Sequence, residues 1–226
     1  MRKQGLIILF FLLLIADIIA IELNNGVLQY ITKPLLMPVL TVYFLSQTVR
    51  SAHRLKVWIF AALFFSWAGD VLLMFQDKIP DFFLFGLAAF LVAHIFYIVF
   101  FHQVRVLEGI RGKLILLLPV ALYYAGLIIW LSPYLGDMAL PVRIYGIVIS
   151  FMLMLALHIL YSRNKKAGVL LVAGALLFVI SDSVLAINKF YQPFGQAGLV
   201  IMLTYGLAQL LIVNGAVEYL RTGISK

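Results

Sequence analysis

Two aspartates stand in otherwise apolar stretches, Asp70 in FFSWAGDVLLM and Asp182 in FVISDSVLAI. An aspartate at the centre of a membrane-spanning helix costs about 2.5–3.5 kcal/mol on insertion scales, so such a residue usually faces the interior of a helix bundle and usually has a chemical role. Two of them facing each other can divide labour. Mutual repulsion and burial let one keep its proton while the other is ionised, which equips a site for general acid–base catalysis and equally for a proton relay. The structural alternative is that each aspartate holds a neighbouring helix through a hydrogen bond.

Other polar residues in apolar surroundings fall at helical spacing. His94 and Tyr97, three apart in AAFLVAHIFYIVFF, share a helix face and suit proton handling, orientation of a ligand or packing. Tyr205 and Gln209, four apart in LTYGLAQLL, suit polar lining or interhelical hydrogen bonding. Lys33 precedes Pro34 in ITKPLLMP. A helix starting at that proline would point free N–H groups outward beside the cation and make a seat for a phosphate. Lys189 follows Asp182 by seven residues, two turns along the same face. For either lysine the plain alternative is a side chain that snorkels to the interface. Asp70 and Asp182 are thus the candidate catalytic pair, with Lys33, His94, Tyr97, Lys189, Tyr205 and Gln209 as candidate substrate-binding residues. Asp17, Glu22, His53, His102 and His158 read as interfacial or solvated. There is no Gly-rich phosphate loop, HExxH or G-x-S-x-G, and the four histidines are too dispersed for a recognisable zinc site, so no metal or cofactor is predicted.

The elements that must position these groups are membrane helices. The 226 residues are 65% hydrophobic and 12% charged, with a mean hydropathy of +1.10, outside the range of soluble domains. Eight runs are apolar and long enough to span or nearly span a bilayer: Gly5 to Ile21, Pro34 to Val49, Val57 to Phe75, Phe82 to Phe101, Leu114 to Leu131, Leu140 to Tyr161, Gly168 to Asn188 and Gly195 to Val217. The first has the basic start and apolar core of a secretory signal but lacks a clear small-x-small cleavage site, so it reads as a retained helix. The loops are too short for a separate soluble domain, and residues 1–226 are expected to form one all-α transmembrane bundle.

Thirteen of the 17 Lys and Arg (Arg2, Lys3, Arg50, Arg54, Lys56, Arg105, Arg111, Lys113, Arg163, Lys165, Lys166, Arg221 and Lys226) fall at the termini or after even-numbered runs. That bias predicts both ends in the cytoplasm, in a bacterial inner membrane. It also accounts for the net charge of +8 without nucleic acid. The absence of Cys excludes disulfides, thiolate metal sites and cysteine nucleophiles. Each aspartate lies about four residues past the middle of its run, roughly 6 Å toward the outer face, so lipid entry from the outer leaflet is expected. A shift of 112 residues superposes Asp70 on Asp182, Leu73 on Leu185, Gly86 on Gly198 and Leu87 on Leu199, the pattern of a parallel four-plus-four helix repeat. Gly69 and Gly86 suit close helix approach.

Taken in order, TKPLLM, FSWAGDVLLM, FGLAAFLVAHIFY, GALLFVISDSVLAINKF and YGLAQLLI resemble the YhhN-like family of eight-helix membrane proteins, which includes the lysoplasmalogenases. The resemblance covers nearly the whole chain. It implies hydrolysis of the vinyl ether bond of a lysoplasmalogen, a lysophospholipid, to a fatty aldehyde and glycerophosphoethanolamine or glycerophosphocholine. By motif match, Lys33, Asp70, His94, Tyr97, Asp182 and Lys189 would occupy the family's polar positions. Protonation of a vinyl ether carbon needs an acid that survives at neutral pH, which suits a buried carboxyl with an ionised partner. The rival readings are a proton-coupled transporter of lipids or small molecules, built from the same parts, and a scaffold in which the aspartates serve assembly alone.

Overall fold

A computed structural model describes residues 3–49 and 54–222. Arg2, Arg50 and Lys226, named above for the basic face, and His53, read above as interfacial or solvated, lie outside the described residues. Eight helices long and apolar enough to cross a membrane follow one another: α1 (Lys3–Glu22), α2 (Gly26–Thr48), α3 (Lys56–Leu73), α4 (Asp81–Leu107), α5 (Leu117–Leu131), α6 (Ala139–His158), α7 (Lys165–Ala186) and α8 (Ala197–Thr222). Short 3-10 turns flank α5 and α6, and α7 runs on into a π turn, Ile187–Tyr191. No strand occurs among the described residues. Lipid offers no partner to backbone N–H and C=O groups, so apolar runs of this length must satisfy them within a helix.

The second helix corrects the expected start at Pro34. It begins eight residues earlier, at Gly26, because the NNG turn before it supplies what a helix start needs. Asn24 takes the left-handed conformation at φ 50°, which Asn tolerates. The Asn25 side chain then accepts the Leu28 N–H at 3.1 Å as an N-cap. Pro34 and Pro38 therefore lie inside the helix. A proline within a helix withholds the N–H that should reach the carbonyl four residues back. Pro38 leaves the Pro34 carbonyl without that donor, and the Trp67 indole N–H of α3 donates to it instead at 3.1 Å. The same placement removes the helix-N-terminus argument for Lys33, which sits two turns into α2.

One hydrophobic core runs through all eight helices. Chain neighbours α1 and α2, α3 and α4, and α7 and α8 pack closely, and α4 also leans on α6. The centre is α8, which touches α1, α2, α3 and α7 and has 61% of its spanning stretch buried, whereas α5 has 11%. α5 packs on α6 and the π turn, so it is a peripheral wall of the bundle. As expected, Gly69 and Gly86 mark close approach of α3 and α4. A Cβ on Gly69 would stand 2.6 Å from the Phe90 ring, and one on Gly86 would stand 2.7 Å from Leu73 Cδ2.

Candidate active site

Asp70 of α3 and Asp182 of α7 open on the same cavity of about 220 Å³, together with Lys33 of α2 and Tyr205 of α8. Its remaining walls come from Gln29 of α2, Phe90 of α4, the C-terminal ends of α1, α3 and α7 with Gln76 and Asn188 just beyond α3 and α7, and the N-terminal turns of α8. The cavity therefore lies toward the end of the bundle away from both termini. Each aspartate is held by a phenol. Tyr205 O–H donates to Asp70 Oδ2 at 2.7 Å, and Tyr145 O–H of α6 donates to Asp182 Oδ2 at 2.5 Å. In both cases the second carboxyl oxygen carries no hydrogen bond from these phenols, and is free to hold or take a proton. Asp70 is 2% exposed, whereas the Asp182 side chain retains 14%.

The other candidates fall at graded distances from this cavity. His94 is fully buried behind Asp182, with Nε2 3.8 Å from Oδ2, outside hydrogen-bond range. Neither ring nitrogen has a partner among the described residues. Phe178, whose ring centre lies 4.6 Å from that of His94, and Tyr145, at 5.2 Å, pack edge-on against the imidazole and fix its plane. Tyr97 and Gln209 lie outside the cavity wall. Tyr97 O–H donates to Gln209 Oε1 at 2.5 Å and Gln209 Nε2 donates to Ser66 Oγ at 2.9 Å, a buried chain that ties α4 to α8 and α8 to α3. Lys189 is set one residue back. Its Nζ donates to Gln76 Oε1 at 3.1 Å and lies 4.7 Å over the Phe83 ring. The π turn shifts the side chain from the simple two-turn register with Asp182.

Two residues read as interfacial are buried. Asp17 of α1 is 0% exposed, and its Oδ1 accepts the Thr32 hydroxyl at 2.8 Å, while Oδ2 has no partner among the described residues. Thr32 precedes Lys33, which lines the cavity, so this bond ties α2 to α1 beside the site. Thr32→Val leaves the carboxyl with neither oxygen bonded. The expected cost is about 1–2 kcal/mol, read as a lower unfolding temperature in detergent. His158 is 3% exposed. Its Nε2 accepts the Lys113 backbone N–H at 3.0 Å, and Nδ1 pairs with the Met154 carbonyl at 2.8 Å, pinning the α4–α5 connection to α6. Tyr145 was missed because one tyrosine among 11 in aromatic-rich runs carries no sequence signal. Asp17 was missed because a carboxylate near a helix end is ordinarily interfacial. Among the described residues no group of three or more His, Cys, Asp or Glu could hold a metal ion.

The chemistry available is thus two phenol-supported carboxyls and one cation around a cavity of about 220 Å³ within an apolar bundle, the parts of an acid–base site for an amphiphile carrying an anion. Residues 28–216 match the YhhN family. Lysoplasmalogenase TMEM86B of Sus scrofa is 35% identical over 176 residues, covering 78% of this chain and 70% of the relative. Lysoplasmalogenase TMEM86A of Homo sapiens is 35% identical over 170 residues, 74% of this chain and 68% of the relative. The lysoplasmalogenase of Mycobacterium tuberculosis is 31% identical over 168 residues, 72% of this chain and 61% of the relative's length. No solved structure matches the chain. A family match across most of the eight helices, with relatives at this level of identity on either side of the bacterial–animal divide, places the chain in the YhhN family of integral membrane proteins.

Proposed function

We propose that this protein is a lysoplasmalogenase, hydrolysing the vinyl ether bond of a lysoplasmalogen to a fatty aldehyde and a glycerophospho headgroup by acid–base catalysis between Asp70 and Asp182. The observation that carries this reading is the shared cavity of the two carboxyls and Lys33 inside an apolar bundle. The names of the relatives supply the substrate class.

The reaction needs little beyond these groups. A vinyl ether is nucleophilic at the β-carbon, where the π pair takes a proton from a carboxyl group and leaves an oxocarbenium ion across the α-carbon and ether oxygen. The ionised partner stabilises that cation at close range in a low-dielectric site. It then accepts a proton from the water whose oxygen attacks the α-carbon. In the resulting hemiacetal the glycerol oxygen takes the proton that the second carboxyl gained from water and leaves as the carbon–oxygen bond breaks, while the hemiacetal hydroxyl gives its proton to the first carboxyl and becomes the aldehyde carbonyl. One water is consumed and both carboxyls return to their starting states. Lys33 faces the phosphate of the headgroup. His94, its plane held by Phe178 and Tyr145, backs Asp182 with Nε2 3.8 Å from the carboxyl. The excess of Lys and Arg at the termini and at the inner ends of the helices supports placing the cavity at the outer face of the membrane.

Purified protein in micelles of a lysoplasmalogen should release aldehyde without a second compartment or a gradient, which a transporter cannot do. In D₂O, with the aldehyde trapped at once as its alcohol by borohydride, the product should carry a single solvent deuterium on the carbon next to the former carbonyl. Aldehyde free of that label would exclude β-carbon protonation. An absence of aldehyde from folded protein would exclude the activity.

A further inference from the structure

Asp182 borders a second space that Asp70 does not reach. On its far side a narrow apolar cleft of about 60 Å³ runs between α5, α6 and α7, walled by Tyr123, Leu127, Ile149, Ser150, Val179 and Ala186. It occupies the same half of the bundle as the polar cavity, since it is formed by the C-terminal half of α5, the N-terminal half of α6 and the C-terminal half of α7. Its outer wall is the least buried helix of the eight, and Tyr123 on that wall is 44% exposed, so the cleft opens sideways to the membrane interior. Two hydrogen bonds join its walls: the 2.6 Å contact between the Tyr123 and Ser183 hydroxyls, which ties α5 to α7, and the Tyr145–Asp182 bond between α6 and α7.

We infer that this cleft holds the alkenyl chain of the substrate, a placement that rests on the vinyl ether reading above. In a lysoplasmalogen the scissile group is the junction between a hydrocarbon chain and a polar glycerophosphate. A molecule with its phosphate facing Lys33 in the polar cavity and its chain between α5, α6 and α7 sets that junction at Asp182, the one carboxyl of the pair that borders both spaces. The β-carbon, which must receive the proton, is the chain-side carbon of the junction, so it falls on the cleft side at Asp182. The loose seat of α5 gives the chain a lateral way in on the α5 side, past the Tyr123–Ser183 hydroxyl pair rather than through a packed core.

Filling the cleft tests the placement. Ala186→Phe and Ser150→Phe should each reduce the preference for an eighteen-carbon over an eight-carbon alkenyl substrate, measured as a ratio of kcat/KM values, by about tenfold or more. Leu122→Phe, on the membrane-facing side of α5 at 65% exposure, should leave the ratio as it is. An unchanged ratio in both filled variants, with wild type active on both substrates, overturns the chain placement and leaves the activity standing. Wild type inactive on both chain lengths overturns the placement together with the vinyl ether reading. A wild-type photolabelling arm decides the matter should the filled variants fold poorly. A lysoplasmalogen analogue with a diazirine at mid-chain should label peptides from 117–131 and 139–158, and labelling confined to 3–48 would place the chain elsewhere.

Discussion

Asp70→Asn and Asp182→Asn are each expected to lower aldehyde release by about 10²–10⁴-fold, the range that a positioned acid or base contributes, while the protein still elutes as a single folded species. Asparagine keeps the shape of the side chain and can still accept the phenolic hydrogen bond from Tyr205 or Tyr145. Folding should therefore survive the change. What the amide cannot do is hold a transferable proton or carry the negative charge that balances an oxocarbenium ion. Because the two carboxyls act as a unit, the double variant should be little worse than the poorer single one. Tyr145→Phe and Tyr205→Phe separate support from chemistry. Each removes one hydrogen bond to a carboxyl that remains present, so the expected loss is about tenfold. Full activity in either asparagine variant would remove that residue from the mechanism, and a scaffold role would predict destabilisation in place of lost turnover.

The pair was legible in the sequence because charge in an apolar run is rare and its cost is large. Lys33 was legible for a different reason from the one that places it. A proline after the lysine suggests a helix start, yet the helix starts at Gly26 behind its cap Asn25, and the interval from Gly26 to Lys33 falls outside the expected run. Two residues of that interval line the candidate site. Gln29 and Lys33 face the cavity, and Thr32 meets Asp17. A polar break in a membrane helix reads as a loop when only hydropathy is counted, and as a lined cavity once a cap such as Asn25 is recognised upstream. Tyr145 and Phe178 carry no comparable signal. Their importance comes from which helix stands beside which, and in a bundle of eight similar apolar helices the sequence pattern does not encode that adjacency. Lys189 shows the limit of spacing arguments, because a single π turn is enough to move a side chain out of a register counted at 3.6 residues per turn.

Gly174→Val is expected to cost about 3 kcal/mol or more, the upper end of overpacking effects, and to lower the unfolding temperature by roughly 10 °C, with loss of monodisperse elution. The reason lies in how α7 and α8 meet. A Cβ on Gly174 would stand 2.6 Å from Ile212 Cγ1 and 2.8 Å from both the Ala208 carbonyl oxygen and the Ile212 nitrogen. Two of those three atoms are backbone, so no rotamer change relieves the clash and the helices must separate. On the same interface, a Cβ on Gly215 would stand 2.7 Å from Leu171 Cγ and 3.0 Å from the Leu171 nitrogen. Lipid provides no hydrophobic drive to hold helices together, so contact between small residues supplies much of the attraction, and it falls away steeply with distance. The consequence reaches the site because α7 carries Asp182 and α8 carries Tyr205, the phenol on Asp70. Separating the two helices shifts both carboxyl environments at once, so turnover should fall further than in either tyrosine variant. Gly126→Ala is the matched control. Nothing lies within 4 Å of a Cβ built on Gly126, so the substitution should hold or slightly raise the unfolding temperature through helix propensity alone. Gly174→Val protein with the wild-type unfolding temperature and full turnover would show that α7 and α8 do not touch there, and the placement of Asp182 beside the polar cavity would fall with it.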